Sequence, residues 1–411
     1  MGDNDHSRRD VLRGVAAGTI GAVGLSSAAS AAAGRHIVGA DSGAAVAAAR
    51  AEADSVSREI DLGDYGTLVA GVFGAEAREK LAGRGDVRYV EPDRPLSVHG
   101  PGGGPPGDDD PDEDAVLPWG IDRSKADDVH DEGETGDGAH LAIIDTGIEP
   151  DHEALADNVG EGKAFEVCRG GGCSEDWDDD HDHGTHVAGT AGALDNDLGV
   201  MGVSTEATLH SLKVCDNSGS CPTSGIADAV RYTADKHDSG DWYPAVANLS
   251  LGSATESPSL QDAGAYAQDK GVLLISSAGN AGDDEDSVGY PAAYEEYMAV
   301  SATDINDDIA SFSSRGDQVE IAAPGVDVCS AVQDNDYDTF SGTSMSAPHV
   351  AGAAGHLVAA GDSNDQARSR LKDTAEDIGL ADTEQGAGLL DVAAALGYEG
   401  EGGTGDGTDC P

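Results

Sequence analysis

The region from residue 117 to residue 396 alternates short apolar runs with stretches of helical length that are amphipathic or rich in small residues. The apolar runs predict strands at residues 141–144, 209–214, 245–250, 272–276 and 298–301. The other stretches predict helices at residues 186–192, 224–236, 260–270 and 346–360. Strands that are apolar on both faces and alternate with helices are typical of a parallel sheet covered by helices on both sides. The sequence therefore predicts an α/β fold with a mostly parallel central sheet, whose functional side chains gather at the carboxyl ends of the strands.

Four polar side chains stand near the ends of these predicted elements. Asp145 ends the first apolar run, and Asn280 comes shortly after the fourth. His183 opens a small-residue stretch, and Ser344 precedes the last predicted helix. A serine hydroxyl becomes a strong nucleophile when a base takes its proton and a third group orients that base, and an amide can donate to the oxyanion that forms. A serine before a helix is more often a helix cap, so the hypothesis of a nucleophile depends on the four residues together.

The motifs around these residues resemble those of the subtilisin-like serine proteases, or subtilases. Five motifs occur in the family's order over residues 119–396: DTG at 145–147, HGTHVAG at 183–189, NLSLG at 248–252, SAGN at 277–280 and GTSMSAPH at 342–349. The resemblance implies a subtilisin-like fold and an endopeptidase that forms an acyl-enzyme. It also implies four roles: Asp145 orients the base, His183 is the base, Ser344 is the nucleophile and Asn280 donates to the oxyanion.

The resemblance also indicates where substrate binds. Two backbone edges are expected to pair with the substrate as with an added strand: Ser218, Gly219 and Ser220 on one side, and Ser250, Leu251 and Gly252 on the other. The pocket for the side chain before the scissile bond is expected between the second edge and Ser277, Ala278 and Gly279, with Gly289 at its base. None of these residues is charged, so we expect cleavage after large apolar or aromatic residues.

Two segments precede the protease-like region. Residues 1–33 place Arg8 and Arg9 before an apolar run, which resembles a twin-arginine export signal; a membrane anchor is the alternative. Residues 34–98 show the order βαββαβ of a small ferredoxin-like unit. This unit resembles the inhibitory propeptide of subtilases, and an independent small domain is the alternative.

The rest of the chain divides into three parts. Residues 99–117 form a linker of Gly, Pro and Asp, in or just before which we expect processing. Residues 118–397 are the expected subtilisin-like catalytic domain, and residues 398–411 the expected flexible tail. This organisation predicts a self-processed precursor whose own propeptide inhibits it.

The chain of 411 residues has 78 acidic and 23 basic residues, a net charge of −55. Such an excess disfavours nucleic acid and anionic membranes as partners, because like charges repel. The long apolar runs argue against the disorder that so acidic a composition otherwise indicates. The composition resembles that of secreted proteins from extreme halophiles, and the chain is closest in character to the halolysins, the subtilases of haloarchaea. We therefore expect a secreted, halophilic, monomeric enzyme that acts on proteins and peptides.

One histidine cluster could be interpreted as a zinc site. His181, His183 and His186 lie in or just after the acidic run at residues 176–182, and such a set can bind zinc. The glutamate between paired histidines that a metalloprotease helix requires is absent, so a metallohydrolase is the weaker alternative. We expect the acidic run to be solvated surface. By the resemblance, His186 and His349 occupy structural positions of the family.

A second stretch, residues 194–200, resembles the subtilase loop that holds a structural Ca²⁺ ion through backbone carbonyls and one asparagine oxygen. Such oxygen ligands suit a hard cation. The matching residues are Leu194, Asn196, Leu198 and Val200. The family's aspartate ligand falls on Ala154, and Asp151 or Asp157 are the candidates to replace it; an ordinary loop without an ion is the alternative.

Six cysteines allow many disulfide pairings, which an exported protein can form. Short separation favours the pairs Cys168–Cys173 and Cys215–Cys221 and leaves Cys329 and Cys410 open. Free thiols at positions 215 and 221 are the alternative. A non-catalytic homologue that only binds is the remaining functional alternative, and the presence of all four site residues argues against it.

Overall fold

The computed structural model describes residues 34–98, 116–166, 176–282 and 286–411. The predicted export signal, almost the whole linker and the predicted pair Cys168–Cys173 lie outside these residues. Within the described ranges, no helix is both long enough and apolar enough to cross a membrane. A small N-terminal unit and a larger unit make up this part of the chain.

The N-terminal unit has the element order predicted from the sequence. Its strands are β1 (Arg35–Ala40), β2 (Ser55–Asp61), β3 (Thr67–Val72) and β4 (Val87–Pro92), and its helices are α1 (Gly43–Glu52) and α2 (Ala75–Ala82). The strands form an antiparallel sheet in the order β2-β3-β1-β4. Because side chains alternate along a strand, Val38 packs with α1 and α2, whereas Ile37 joins a core shared with the larger unit.

The larger unit is built on a seven-stranded parallel sheet in the order β14-β13-β12-β10-β6-β8-β7. Its strands are β6 (His140–Asp145), β7 (Lys163–Ala164), β8 (Thr208–Lys213), β10 (Ala245–Leu249), β12 (Leu273–Ser277), β13 (Tyr297–Thr303) and β14 (Val319–Pro324). Every residue of β10, β12 and β13 is buried, as expected for strands covered on both faces. The predicted fold class is confirmed.

Long helices cover both faces of this sheet. One face carries α5 (His183–Gly192) and α8 (Thr343–Ala359), and the other carries α6 (Thr223–Ser239) and α7 (Pro258–Asp269). In β6, Leu141 and Ile143 pack with the first pair of helices, while Ala142 and Ile144 pack with the second. The described chain also contains the shorter helices α3 (Trp119–Arg123), α4 (Ala126–Asp131), α9 (Asn364–Asp373), α10 (Asp382–Gln385) and α11 (Val392–Leu396).

A small antiparallel sheet joins the two units. Its central strand β5 (Pro95–Val98) ends the N-terminal unit, and it lies between β9 (Ser220–Pro222) and β11 (Leu251–Gly252) of the larger unit. A hairpin of β15 (Val328–Val332) and β16 (Asp336–Phe340) lies beside α5.

Helices α5 and α8 begin earlier than the sequence predicts. Their first residues are His183 and Thr343. The first turns consist mostly of small and polar residues, so apolar periodicity does not mark them. Ser344 therefore lies inside the first turn of α8, and Gly342 stands at the cap position. The sequence also does not predict β7, which has only two residues, or β14, which contains Glu320 and ends in a proline.

The segment after residue 398, which the sequence predicts to be flexible, is held against the start of the larger unit. The amides of Gly403 and Gly405 donate to the carboxylate of Asp122. A disulfide joins Cys410 to Cys329 in β15. Glycine-rich composition indicates mobility because it offers no apolar side chains to bury, but here backbone hydrogen bonds and a covalent bond hold the segment.

Candidate active site

Asp145 and His183 meet at the edge of the sheet where the parallel strands end. Asp145 is the last residue of β6, and His183 is the first residue of α5. His183 Nδ1 lies 2.8 Å from Asp145 Oδ1, and both side chains are fully buried. The same carboxylate oxygen accepts the amide of Thr146 at 2.7 Å. Since the carboxylate accepts, Nδ1 carries the proton, and His183 Nε2 remains a basic nitrogen with no hydrogen-bond partner in the described part of the chain.

Two glycines let the elements that carry this pair approach each other. A Cβ atom on Gly184 would lie 2.1 Å from the carbonyl oxygen of Gly147. Gly147 has a φ of +131°, and a Cβ atom there would lie 2.6 Å from the backbone of Asp178. No side chain fits at either position without moving backbone. The glycines of the DTG and HGT motifs thus bring Asp145 and His183 within hydrogen-bond distance.

Ser344 lies in the first turn of α8, next to the end of β10. Its hydroxyl donates to the carbonyl oxygen of Ser250 at 3.1 Å, and the Ser250 hydroxyl donates to the Ser344 carbonyl at 2.8 Å. The amides of a first helical turn lack helical partners, and the helix dipole favours negative charge beside them. In this structure Ser250 holds the hydroxyl; hydrogen bonds to a catalytic base often tighten only when substrate is bound.

Asn280 follows β12 and is fixed against the first turn of α8. Its Oδ1 accepts the amide of Thr343 at 3.0 Å and the Thr343 hydroxyl at 2.9 Å. With the oxygen engaged in this way, Nδ2 lies 3.1 Å from the position that a Cβ atom would take on Gly342. The donor therefore faces the backbone just before Ser344, where an oxyanion attached to that serine could accept from it.

The two predicted substrate edges enclose a strand of the chain itself. Ser97 of β5 pairs with Ser220 in β9 and with Gly252 in β11. Because β11 begins directly after Ser250 and runs antiparallel to β5, the end of β5 leads toward the residue that holds the Ser344 hydroxyl. The other predicted edge residues lie in the same place, with Gly219 accepting the Val98 amide at 3.1 Å, Ser218 one residue before it and Leu251 paired with Val98.

A cavity of about 180 Å³ opens beside the second edge. The predicted pocket residues among its lining are Gly252, Ser277, Ala278, Gly279 and Gly289. None of the described residues that line it is charged, and Asn280 is part of the lining as well. The cavity suits an apolar or aromatic side chain next to the proposed oxyanion donor.

The loop before β9 is held in two ways. Cys215 and Cys221 form a disulfide with an S–S distance of 2.07 Å. The carboxylate of Asp216 accepts the amide of Ser218 at 2.9 Å and the amide of Ser220 at 3.2 Å. Sequence reasoning missed Asp216, although an aspartate shortly before serine and glycine is a signal for a turn of this kind. The edge that pairs with β5 is thus ordered without large apolar side chains.

The acidic run before His183 is not all solvated surface, and the prediction is wrong for Asp179. This side chain is 4% exposed, and four hydrogen bonds reach its carboxylate. Its burial follows from the packing of residues 178 and 179 on Gly147. The sequence alone does not distinguish Asp179 from Asp178 and Asp180, because the three aspartates are consecutive.

His186 has a structural environment. Its ring stacks on Phe340 with 4.4 Å between centroids, and its Nε2 lies 2.9 Å from the carbonyl oxygen of Val328. Burial lowers the pKa of His186 to about 3, so the ring is neutral and Nε2 carries the proton that the carbonyl accepts. That nitrogen is unavailable to a metal, which weakens the alternative of a zinc site with His181 and His183.

The loop at residues 194–200 offers several oxygen atoms of the kind that bind calcium. Among the described residues, no hydrogen bond reaches the carbonyl oxygens of Leu194, Leu198 or Val200. Asn196 Oδ1 accepts the amide of Leu198 at 3.2 Å and keeps a second lone pair. Ala154, at the position of the family's carboxylate ligand, is fully buried in the core. The donors fit Ca²⁺, although position 154 contributes no charge.

A hydroxyl at a helix N-terminus and a buried Asp–His pair, both at the carboxyl edge of a parallel sheet, are the arrangement of a serine hydrolase. Comparison with known proteins narrows this class. The chain belongs to the subtilase family, whose model matches residues 136–388.

Several relatives are similar over the same region. Subtilisin Savinase of Lederbergia lenta is 42% identical over 281 residues, which are 68% of this chain and 98% of the relative. The alkaline protease of Shouchella clausii is 42% identical, over 68% of this chain and 70% of its own length. Alkaline elastase YaB of Bacillus sp. (strain YaB) is 40% identical over the same shares. The chain is a subtilisin-like serine endopeptidase, and protein substrates fit such an enzyme.

Proposed function

We propose that the chain is the precursor of a secreted, halophilic endopeptidase that processes itself and then hydrolyses peptide bonds through an acyl-enzyme. The observation that carries the proposal is the position of β5. This strand lies between β9 and β11 as a substrate does, and it leads toward Ser344 in a chain whose Asp145 and His183 are already hydrogen-bonded.

In the proposed mechanism, His183 Nε2 takes the hydroxyl proton of Ser344 while Oγ bonds to the scissile carbonyl carbon. The carbonyl oxygen becomes an oxyanion, which accepts hydrogen bonds from Asn280 Nδ2 and from the Ser344 amide. The C–N bond then breaks, and His183 gives its proton to the leaving amine. Water attacks the acyl ester in the same way and frees the serine. Asp145 orients the ring and stabilises its protonated form.

We assign residues 34–98 to an inhibitory propeptide. In addition to the pairing of β5, two carboxylates of this unit accept hydrogen bonds at the N-termini of two helices in the larger unit. Asp93 accepts the amide and the hydroxyl of Ser224 in α6 at 3.0 and 2.9 Å, and Glu91 accepts the amide of Ser259 in α7 at 3.0 Å. A helix N-terminus favours such an anion. These contacts support a propeptide that blocks the cleft until it is removed.

Two variants test self-processing. Ser344→Ala should remain full-length, whereas the wild-type chain should be trimmed and labelled covalently by a fluorophosphonate in molar salt. Ser346→Ala is the matched control, because Ser346 lies in the same helix with its Oγ toward Gly325. Normal trimming of a pure Ser344→Ala preparation would contradict self-processing, and a wild-type chain that is never labelled would contradict the triad.

The uncharged cavity supports cleavage after large apolar or aromatic residues. The peptide bonds cut in a mixed peptide library measure this preference. Cleavage chiefly after Lys or Arg would contradict it.

Subtilisins generally bind calcium, and we propose that residues 194–200 hold a structural Ca²⁺ ion in this chain. The ligands would be the three free carbonyl oxygens of this loop and Asn196 Oδ1. The ion would link these oxygen atoms of one loop and so raise the melting temperature of the protein. Calcium should therefore raise Tm in the wild-type protein and have a smaller effect in Asn196→Ala.

Export by the twin-arginine route and a kinship to the halolysins complete the proposal. Arg8 and Arg9 support the first, and the net charge of −55 supports the second. Replacing both arginines by lysine should leave the precursor inside the cell, which an immunoblot of cells and medium would show.

A further inference from the structure

Asp179 is buried beside the proposed triad, and the proposed mechanism does not use it. Its Oδ1 accepts the hydroxyl of Thr146 at 2.8 Å and the amide of His181 at 2.9 Å. Its Oδ2 accepts the amide of Thr185 at 2.9 Å and the Thr185 hydroxyl at 2.7 Å. A carboxylate with so many donors in so closed a site requires an explanation.

The donors around Asp179 favour its ionised form. The two amides can only donate. Each of the two hydroxyl oxygens accepts one amide, Thr146 Oγ1 that of Gly184 at 2.8 Å and Thr185 Oγ1 that of Glu149 at 3.1 Å, and each hydroxyl proton is left to donate to Asp179. Burial raises the pKa of Asp179, as does the nearby Asp145 carboxylate, whereas the hydrogen bonds from Thr185 and Thr146 oppose this effect.

The hydrogen bonds of Asp179 connect the two segments that carry the Asp–His pair. Thr146 directly follows Asp145 at the end of β6. Thr185 is the third residue of α5, which begins at His183. A helix is usually capped by the residue before it, but Asp182 makes no capping hydrogen bond and has a φ of +73°. Asp179 and Thr146 therefore satisfy the first amides of α5 in its place.

We propose that Asp179 is a positioning residue of the active site. As a fixed anion it holds the end of β6 and the first turn of α5 in one arrangement, which sets the distance between Asp145 and His183. The inference rests on the proposed role of the triad.

Asparagine cannot replace this carboxylate. Each carboxylate oxygen faces one backbone amide that is fixed and can only donate, His181 on one side and Thr185 on the other. An asparagine side chain at this position has one oxygen, so in either orientation its NH₂ group meets a donor. A buried donor without an acceptor is destabilising, and the charge is lost as well. The isosteric change Asp179→Asn therefore disturbs the network without changing the volume of the side chain.

The test compares Asp179→Asn with Asp178→Asn, both made as full chains and assayed with a peptide substrate in molar salt. Asp178 is the neighbouring residue, and its partly exposed side chain makes no hydrogen bond to the network. We expect Asp179→Asn to lower kcat by about 10- to 100-fold with little change in KM, since small displacements of catalytic groups have effects of this size. Asp178→Asn should lie close to the wild-type protein in both measurements.

If Asp179→Asn loses the near-UV circular dichroism of a folded protein, a second pair of variants tests the role proposed for Asp179. Thr185→Val removes, at constant shape, the hydroxyl that donates to Asp179 and accepts from Glu149, and Thr185→Ser restores it. We expect a loss of kcat in Thr185→Val and recovery in Thr185→Ser. Equal kcat in folded Asp179→Asn and Asp178→Asn, or in the two Thr185 variants, would overturn the inference. A wild-type chain that hydrolyses no peptide would instead overturn the proposed function.

Discussion

Asn280 is fixed before any substrate binds, since both of its Oδ1 hydrogen bonds go to Thr343 in the helix that carries Ser344. A donor fixed in this way stabilises charge that appears only in the transition state. We therefore expect Asn280→Ala to lower kcat by about 10²–10³-fold with little change in KM. Steady-state kinetics on a peptide measure both constants. Asn280→Asp is the control for shape, because it keeps the oxygen and removes the donor; a change confined to KM would assign Asn280 to substrate binding.

Buried neutral histidines make stability depend on pH. Burial lowers the pKa of His356 to about 4, and its Nε2 lies 2.7 Å from the carbonyl oxygen of Val203. In the unfolded chain this histidine binds a proton below its ordinary pKa of about 6.5, whereas in the folded protein it does so only near 4. Its contribution to stability is therefore complete above that ordinary value and is lost as pH falls from about 6.5 to 4.

His356→Gln keeps a side-chain donor for Val203 and removes the titration. Between about pH 7 and pH 5, the free energy of unfolding should fall by about 2 kcal/mol more in the wild-type protein than in this variant. Denaturant titrations at several pH values in molar salt measure the difference. Parallel pH curves for the two proteins would show that His356 does not cause the acid sensitivity.

Among the elements, the edge formed by β9 depends on a short loop with little apolar content. The disulfide between Cys215 and Cys221 closes a ring so small that it should stabilise the protein by only about 2 kcal/mol. Its main effect should be to keep the β9 edge, which we propose to pair with substrate, in one conformation. The double variant Cys215→Ser with Cys221→Ser should raise KM for extended peptides more than KM for short esters, which do not reach this edge. The effect should be moderate, because Asp216 still holds the loop; an equal rise for both substrates would contradict the idea.

The elements that the sequence predicts well are those that are buried on both faces or repeat at a helical period. Strands β6, β10, β12 and β13 appear as apolar runs, so their carboxyl ends, and with them Asp145 and Asn280, could be placed. The first turn of α8 and the burial of Asp179 could not be predicted from the sequence, because both depend on close backbone contacts between distant segments. The attachment of the segment after residue 398 could not be predicted for the same reason, because Asp122, which accepts its hydrogen bonds, is remote in sequence.

On the scale of the whole molecule, negative charge is the dominant electrostatic feature. Eight of the 23 basic residues lie in residues 34–98, so the larger unit carries most of the unbalanced acid. Repulsion among these charges extends about 10 Å in about 0.1 M salt and about 3 Å in about 1 M salt. We expect the melting temperature to rise strongly with salt, and to rise more for the mature enzyme than for the Ser344→Ala precursor. Thermal melts over a salt series measure this, and a Tm that does not depend on salt would contradict it.

The two units also share one apolar core. Ile37, Leu68 and Leu96 of the N-terminal unit belong to the same cluster as Ile226 of α6 and Leu260 of α7. Salt does not screen this contact, because it involves apolar side chains and not charges. Salts that are excluded from protein surfaces strengthen apolar contacts. The proposed propeptide should therefore remain bound to the larger unit if the chain is cut after it.

Strand β5, which lies between β9 and β11, belongs to the same chain as Ser344, so each molecule contains one such strand and one such serine. If the proposed self-processing occurs, its first cut is a unimolecular event, whose rate is set by the geometry of one molecule and not by how often two molecules meet. Diluting freshly refolded precursor should leave the half-time of the first cut unchanged, whereas cutting of one molecule by another would slow in proportion to dilution. Maturation would then begin at the same time after export in a dilute as in a crowded environment.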